Sequence, residues 1–156
     1  MFSKMIKLTA VAGLALGISA PAAAKDTVAL SGTVHVERTI TDNGETKKVL
    51  VAPEGVVPGD RLLFTTSYEN AGNDTVENFV VTNPLPSAIR LADADTAFDV
   101  SVDGGKTFGE LATLQIDEPE TGPRTAEARD VTHIRWTLAS LEPGAKGKLN
   151  YYGIVR

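Results

Sequence analysis

Between residues 61 and 69 the chain alternates with a period of two, and no later segment sustains the 3.6-residue period of a helix. Leu62, Phe64, Thr66 and Tyr68 fall on one side, and Arg61, Leu63, Thr65, Ser67 and Glu69 on the other. Such alternation marks an extended strand with one face in a core. Asn70-Ala71-Gly72-Asn73-Asp74 follows, rich in residues that tolerate the backbone of tight turns. A second strand is predicted from Val76 to Thr82. Asn83-Pro84-Leu85-Pro86 is expected to end its pairing, because two prolines remove two donors.

The same pattern recurs along the chain. From Thr27 to Glu37, Val28, Leu30, Val34 and Val36 share a predicted core face, opposite Ala29, Ser31, Thr33, His35 and Glu37. Thr41-Asp42-Asn43-Gly44-Glu45 centres on Asn-Gly, a strong hairpin signal, and Lys47 to Ala52 returns as a strand. Ile89 to Leu91 reads as a short strand. Phe98, Val100 and Val102 alternate into an Asp103-Gly104-Gly105 turn, and Lys106-Thr107-Phe108 is the return. Leu111 to Ile116 is a weaker strand, and Asp117 to Asp130, with two prolines and seven charges, reads as a solvated loop. Ile134, Trp136 and Leu138 share a face. Pro143-Gly144 turns the chain into a last strand carrying Leu149, Tyr151 and Val155. Eight or nine short strands between turn residues predict an all-β fold, a β-sandwich with the only tryptophan, Trp136, at its centre.

The first 24 residues stand apart. Lys4 and Lys7 precede an apolar run from Leu8 to Ile18, and Ala22-Ala23-Ala24 offers a small-residue cleavage site before Lys25. The run falls short of the roughly 20 residues that cross a bilayer. It reads as a cleaved signal helix over 1–24, of bacterial type, ahead of one domain over 25–156. No cysteine follows it, so attachment of lipid at such a residue is excluded. Removal of the signal leaves 132 residues, enough to bury a core without a staple. With Lys4 and Lys7 gone, 13 basic residues face 20 acidic ones, a formal charge of −7. That balance argues against nucleic acid or an anionic membrane as partner. The lack of cysteine rules out thiolate chemistry throughout.

Two segments carry a family resemblance. Val56-Val57-Pro58-Gly59-Asp60 leads into the Arg61 strand and the Asn70-Ala71-Gly72 turn, and Val80-Val81-Thr82-Asn83-Pro84-Leu85-Pro86 closes the next strand. Ile134-Arg135-Trp136-Thr137-Leu138 then precedes Glu142-Pro143-Gly144-Ala145. Over about Val56 to Val155 the chain resembles the bacterial DUF11 repeat domain, although Asn83 stands where that family often has Asp. The resemblance implies an immunoglobulin-like sandwich on exported or surface proteins, with no established catalytic residues to carry over. Here there is one copy, with no internal repeat or sorting tail in the sequence given.

Ser101-Val102-Asp103-Gly104-Gly105-Lys106-Thr107-Phe108 resembles the Asp-box hairpin of sialidases, in which the aspartate binds turn amides and holds the fold. Asp93, Asp95 and Asp99 could offer oxygens to calcium, but lack the spacing, glycine and glutamate of an EF-hand. His35 and His133 have no patterned acid or thiol beside them, and no serine sits in a nucleophile elbow. Asn73-Asp74-Thr75 fits a glycosylation sequon and reads as a turn. No catalytic, cofactor-binding or metal residues are therefore assigned, and no cofactor is expected. The reading is a non-enzymatic exported module, periplasmic or secreted. It would be a structural or protein-interaction component of the bacterial envelope or extracellular matrix, with Tyr152 and Ile154 offering a strand for a partner to pair with. The alternatives are a small-ligand or carbohydrate-binding module and, with least support, a hydrolase using Asp103, His133 or a serine.

Overall fold

The computed structural model describes residues 28–93 and 97–156. The expected signal segment over 1–24 and Asp95 lie outside them. Among the described residues there are ten strands and a single turn of 3-10 helix at Leu111–Thr113. None of these residues forms a helix long and apolar enough to cross a membrane. Strands β1 (Val28–Asp42), β2 (Glu45–Val51), β3 (Arg61–Asn70), β5 (Ile89–Leu91) and β10 (Lys146–Val155) form one sheet in the order β2-β1-β3-β10-β5. Strands β4 (Val76–Pro84), β6 (Asp99–Ser101) and β9 (His133–Leu141) form a second, ordered β4-β9-β6. Strands β7 (Gln115–Glu118) and β8 (Gly122–Thr125) make a separate hairpin. Every pairing is antiparallel.

The two larger sheets share one hydrophobic cluster. Val81, Val100, Ile134 and Trp136 come from the three-stranded sheet, and Leu91, Leu149 and Tyr151 from the five-stranded one, with Phe64 and Tyr68 packed alongside. Trp136 sits at its middle. Its ring meets Phe98 edge-on at 5.6 Å and Tyr151 at 6.1 Å, and Tyr151 stacks in parallel on Phe64 at 4.7 Å. Such aromatic pairs add to the area they bury. A smaller cluster of Val36, Leu62 and Ile89 closes one end beneath Val56 and Leu85.

Close strand contact also depends on Gly153. It lies on the inner face of β10, where an added Cβ would stand 2.4 Å from a methyl of buried Ile89 and 3.2 Å from the Phe64 ring. Overpacking of a filled core costs about 1–3 kcal/mol. Gly153→Ala is expected to destabilise within that range, read as a fall in the urea midpoint. An unchanged midpoint would place Ile89 away from this strand.

Several expectations change. Of the predicted core face of β1, Val36 is fully buried but Leu30 is 49% exposed, because the narrower three-stranded sheet does not cover the start of β1. The hairpin turn contracts to Asn43 and Gly44, both with positive φ, and Asp42 pairs directly with Glu45. Pairing does not stop at Asn83. Pro84 lies opposite His133, and the Leu85 amide donates to the Thr132 carbonyl at 2.8 Å. The proline is tolerated because β4 is an edge strand, so the missing donor can face the open side. Lys106 to Phe108 is not a strand, and only Gly109 bridges back to Val100.

The stretch from Leu111 to Ile116 opens as a 3-10 turn, and the expected loop from Asp117 to Asp130 contains the β7–β8 hairpin. One side chain holds that hairpin down. Arg124 ion-pairs with Glu118 and binds both oxygens of Asp130, at 2.6 and 2.9 Å, while Ala126 and Val131 are buried beneath. The guanidinium beside Asp130 lowers that carboxyl from 3.8 to about 2. The sign follows from linkage: the unfolded chain takes up the proton first as pH falls, so the contribution is whole above about 4 and fades toward pH 2. The thermal midpoint is expected to drop over that window, and Arg124→Gln to flatten part of the drop.

Candidate functional site

The Asp103 hairpin is the densest polar constellation among the described residues. β6 delivers Ser101, fully buried, and the two glycines that follow have φ of 80° and 85°, which suits residues without a Cβ. Asp103 then accepts from every side. Its Oδ1 takes the Ser101 hydroxyl at 2.7 Å and the amides of Lys106 and Thr107 at 3.0 Å each. Its Oδ2 takes the Thr107 amide at 3.1 Å and the Thr107 hydroxyl at 2.7 Å. The Ser101 hydroxyl oxygen in turn accepts the Gly105 amide at 2.9 Å.

These donors, the Thr107 amide foremost, hold the Asp103 carboxyl far below the usual carboxylate range. A carboxylate so occupied cannot serve as a general base near neutrality, nor give or take a proton without opening the hairpin. The geometry fits a turn lock. Asp103→Asn would place amide hydrogens against backbone donors. It is expected to lower the thermal midpoint at pH 7 and to leave a smaller difference from the parent protein below pH 3, where uptake of a proton by this aspartate in the unfolded chain erodes the parent's advantage.

Around this hairpin lies a group that sequence reasoning did not assemble. Phe108, at its end, lies under the guanidinium of Arg135 on β9, whose central carbon is 3.4 Å from the ring centroid. His133, two residues earlier on the same face of β9, meets Phe108 edge-on at 6.5 Å. The His133 ring lies against Gly105, where a Cβ would stand 3.4 Å away, and its Nδ1 is 3.0 Å from the Thr132 hydroxyl. The signal was present in the sequence, since Arg135 alternates outward between Ile134 and Trp136. What the sequence does not show is that the hairpin folds back over that outward face.

The remaining candidates do not converge. His35 projects from the outer side of β1 in the five-stranded sheet, so the two histidines occupy different sheets. Asp93 is engaged by the Arg61 guanidinium, which also lies 4.2 Å over the Tyr152 ring. Asp99 pairs with Arg135 in register on β6. Among the described residues, no three acidic or histidine side chains are grouped to hold a metal ion. Tyr152 and Ile154 do not offer a free strand either. β10 is an inner strand, paired with β3 from Lys146 to Ile154 and with β5 from Gly153 to Val155, because the sheet continues past it. Asn73 to Thr75 lies in the turn before β4, as the sequence suggests.

The edge strands are β2 and β5 in the five-stranded sheet and β4 and β6 in the three-stranded one. Beside β4 a shallow cavity of about 320 Å³ opens over β1, lined by Leu30, Gly32, Val34, Phe64, Thr66 and Asn83. Comparison with protein-family models, with curated proteins and with solved structures found no match for this chain.

Proposed function

We propose that this chain is a non-catalytic exported module with an immunoglobulin-like sandwich fold of the DUF11 kind, serving as a structural or protein-interaction component of the bacterial envelope or extracellular matrix. The observation that carries the reading is the spending of the candidate acid and base groups. Asp103 is saturated by five donor contacts within its own hairpin, and His133 packs against Phe108 and Gly105. His35 lies in the other sheet. No two of these groups are placed to share a substrate atom. Export is supported by the basic, apolar and alanine-rich succession of the first 24 residues.

Two measurements test it together. Mass spectrometry of the protein from its native host is expected to find Lys25 at the amino terminus, in periplasm or medium. Crosslinking in the intact envelope is expected to recover a protein partner. Recovery from the cytosol with Met1 in place, or capture of free sugars in preference to protein, would defeat the proposal.

A further inference from the structure

The three-stranded sheet turns an unusual outer face to solvent. Along it, Thr82, Arg135 and Asp99 stand in one cross-strand row, and Val80 pairs with Thr137 in the next. Arg135 is half-buried and held flat on Phe108. Yet among the described residues it makes neither a hydrogen bond nor an ion pair, even with Asp99 directly across the ladder. The stack draws the guanidinium toward the ring, and its planar N–H donors are left unspent. Stacking also fixes its orientation, so little freedom remains to be lost on binding. Beside it Val80 is 49% exposed, one of the large apolar side chains the fold leaves in water. An oriented arginine on an aromatic ring next to an apolar residue is the composition of a protein-binding hot spot.

We propose that this face, centred on Arg135, Phe108 and Val80, docks an extended acidic segment of a partner protein, with a carboxylate on Arg135 and an apolar side chain on Val80. Charge complementarity decides the occupant. Arg135 is an oriented cation with no ion pair among the described residues, so it selects an anionic group rather than a basic one, and the formal −7 of the exported chain restricts that anion to a short segment rather than a broad acidic surface. The spacing narrows it further. Val80 and Arg135 are diagonal neighbours on β4 and β9, about 7–8 Å apart, which side chains two positions apart in an extended peptide can match where it crosses the two strands obliquely. The inference rests on the interaction-module reading above and names the surface that it would use.

The test is an NMR titration of the chain with a synthetic peptide, Ser-Glu-Ser-Val-Ser, against Ser-Lys-Ser-Val-Ser, at low salt. The Glu peptide is expected to shift the amides of Val80, Phe108 and Arg135. Arg135→Gln should weaken it about tenfold. Phe108→Leu, which keeps the charge and frees the guanidinium, should weaken it less. Raising salt from about 0.01 M to about 0.15 M should also weaken it, as expected for a partly exposed pair. Equal binding by the Arg135→Gln protein, or equal shifts with the Lys peptide, would overturn the proposal. So would stronger shifts with polygalacturonate, which would assign the face to an acidic polysaccharide, or a dimer that Arg135→Gln dissolves, which would assign it to a second copy. If crosslinking in the envelope recovers a protein partner equally well with Arg135→Gln, the interaction reading stands and this face does not.

Discussion

Trp136→Ala is expected to destabilise the protein by about 3–5 kcal/mol, the usual cost of truncating a buried tryptophan. The residue is 4% exposed, and its ring joins Phe98 on the three-stranded side to Tyr151 on the five-stranded side. Truncation would leave Phe98 and the stacked Phe64–Tyr151 pair facing a void that neither sheet can collapse into without losing its register. Domains of this size are stable by only about 5–15 kcal/mol, so much of the reserve would go. Thermal denaturation followed by circular dichroism is expected to show a midpoint lowered by ~10 °C or more. Trp136→Phe should recover most of it. A midpoint within a few degrees of the parent would place the tryptophan outside the shared cluster.

Asn70→Ala comes next, for a different reason. Asn70 ends β3 and is fully buried. Its amide nitrogen donates to the carbonyls of Leu141 at 2.7 Å and Asp74 at 2.9 Å, and its side-chain oxygen accepts the Gly72 amide at 3.0 Å. Its backbone is tied as well, donating to Ala145 and accepting from Gly144 at 2.9 and 2.8 Å. One side chain thus joins the β3–β4 turn to the end of β9 in the opposite sheet. Alanine would leave buried polar atoms without partners, at about 1–3 kcal/mol for each. The expected loss is about 2–4 kcal/mol on that basis, allowing for water reaching the more exposed atoms. Asn70→Asp should be nearly as harmful, since the carboxylate cannot donate to the two carbonyls. Hydrogen exchange is the sharper readout: the Gly72 and Gly144 amides should lose protection first. Parental protection there would show that the turn stands without the side chain.

How far the sequence speaks for itself can be seen residue by residue. Alternation alone placed Leu62, Val100, Ile134, Trp136, Leu149 and Tyr151 inward, and all are buried. A period-two pattern over a paired strand leaves little choice once one face is covered. It could not say how far the cover reaches. Leu30 obeys the pattern and is still exposed, because the breadth of the facing sheet is a property of the topology. The same gap explains β10, whose outward residues looked available until β5 was seen to pair beyond it. Asn70 read as a turn residue and is one, but its bond to Leu141 spans 71 positions, and no local pattern announces that.

The β7–β8 hairpin was missed because Asp117 to Asp130 is dominated by charge. Its order comes from Arg124 gathering Glu118 and Asp130, a pairing invisible until the chain folds back. The Asp103 hairpin was legible because the bonds to its carboxylate are local, all from donors between Ser101 and Thr107. The neighbouring Arg135–Phe108 stack was not, since it joins two segments that only the sheet brings together.

One spectrum bears on the whole account: a nuclear Overhauser map of the folded chain in water. Cross-peaks between the Trp136 indole and the rings of Phe98 and Tyr151 are predicted, together with Hα–Hα contacts across β1–β3 and β4–β9. An indole in contact with solvent alone, or amide patterns typical of helix between residues 60 and 155, would contradict the two-sheet core from which every other claim is built.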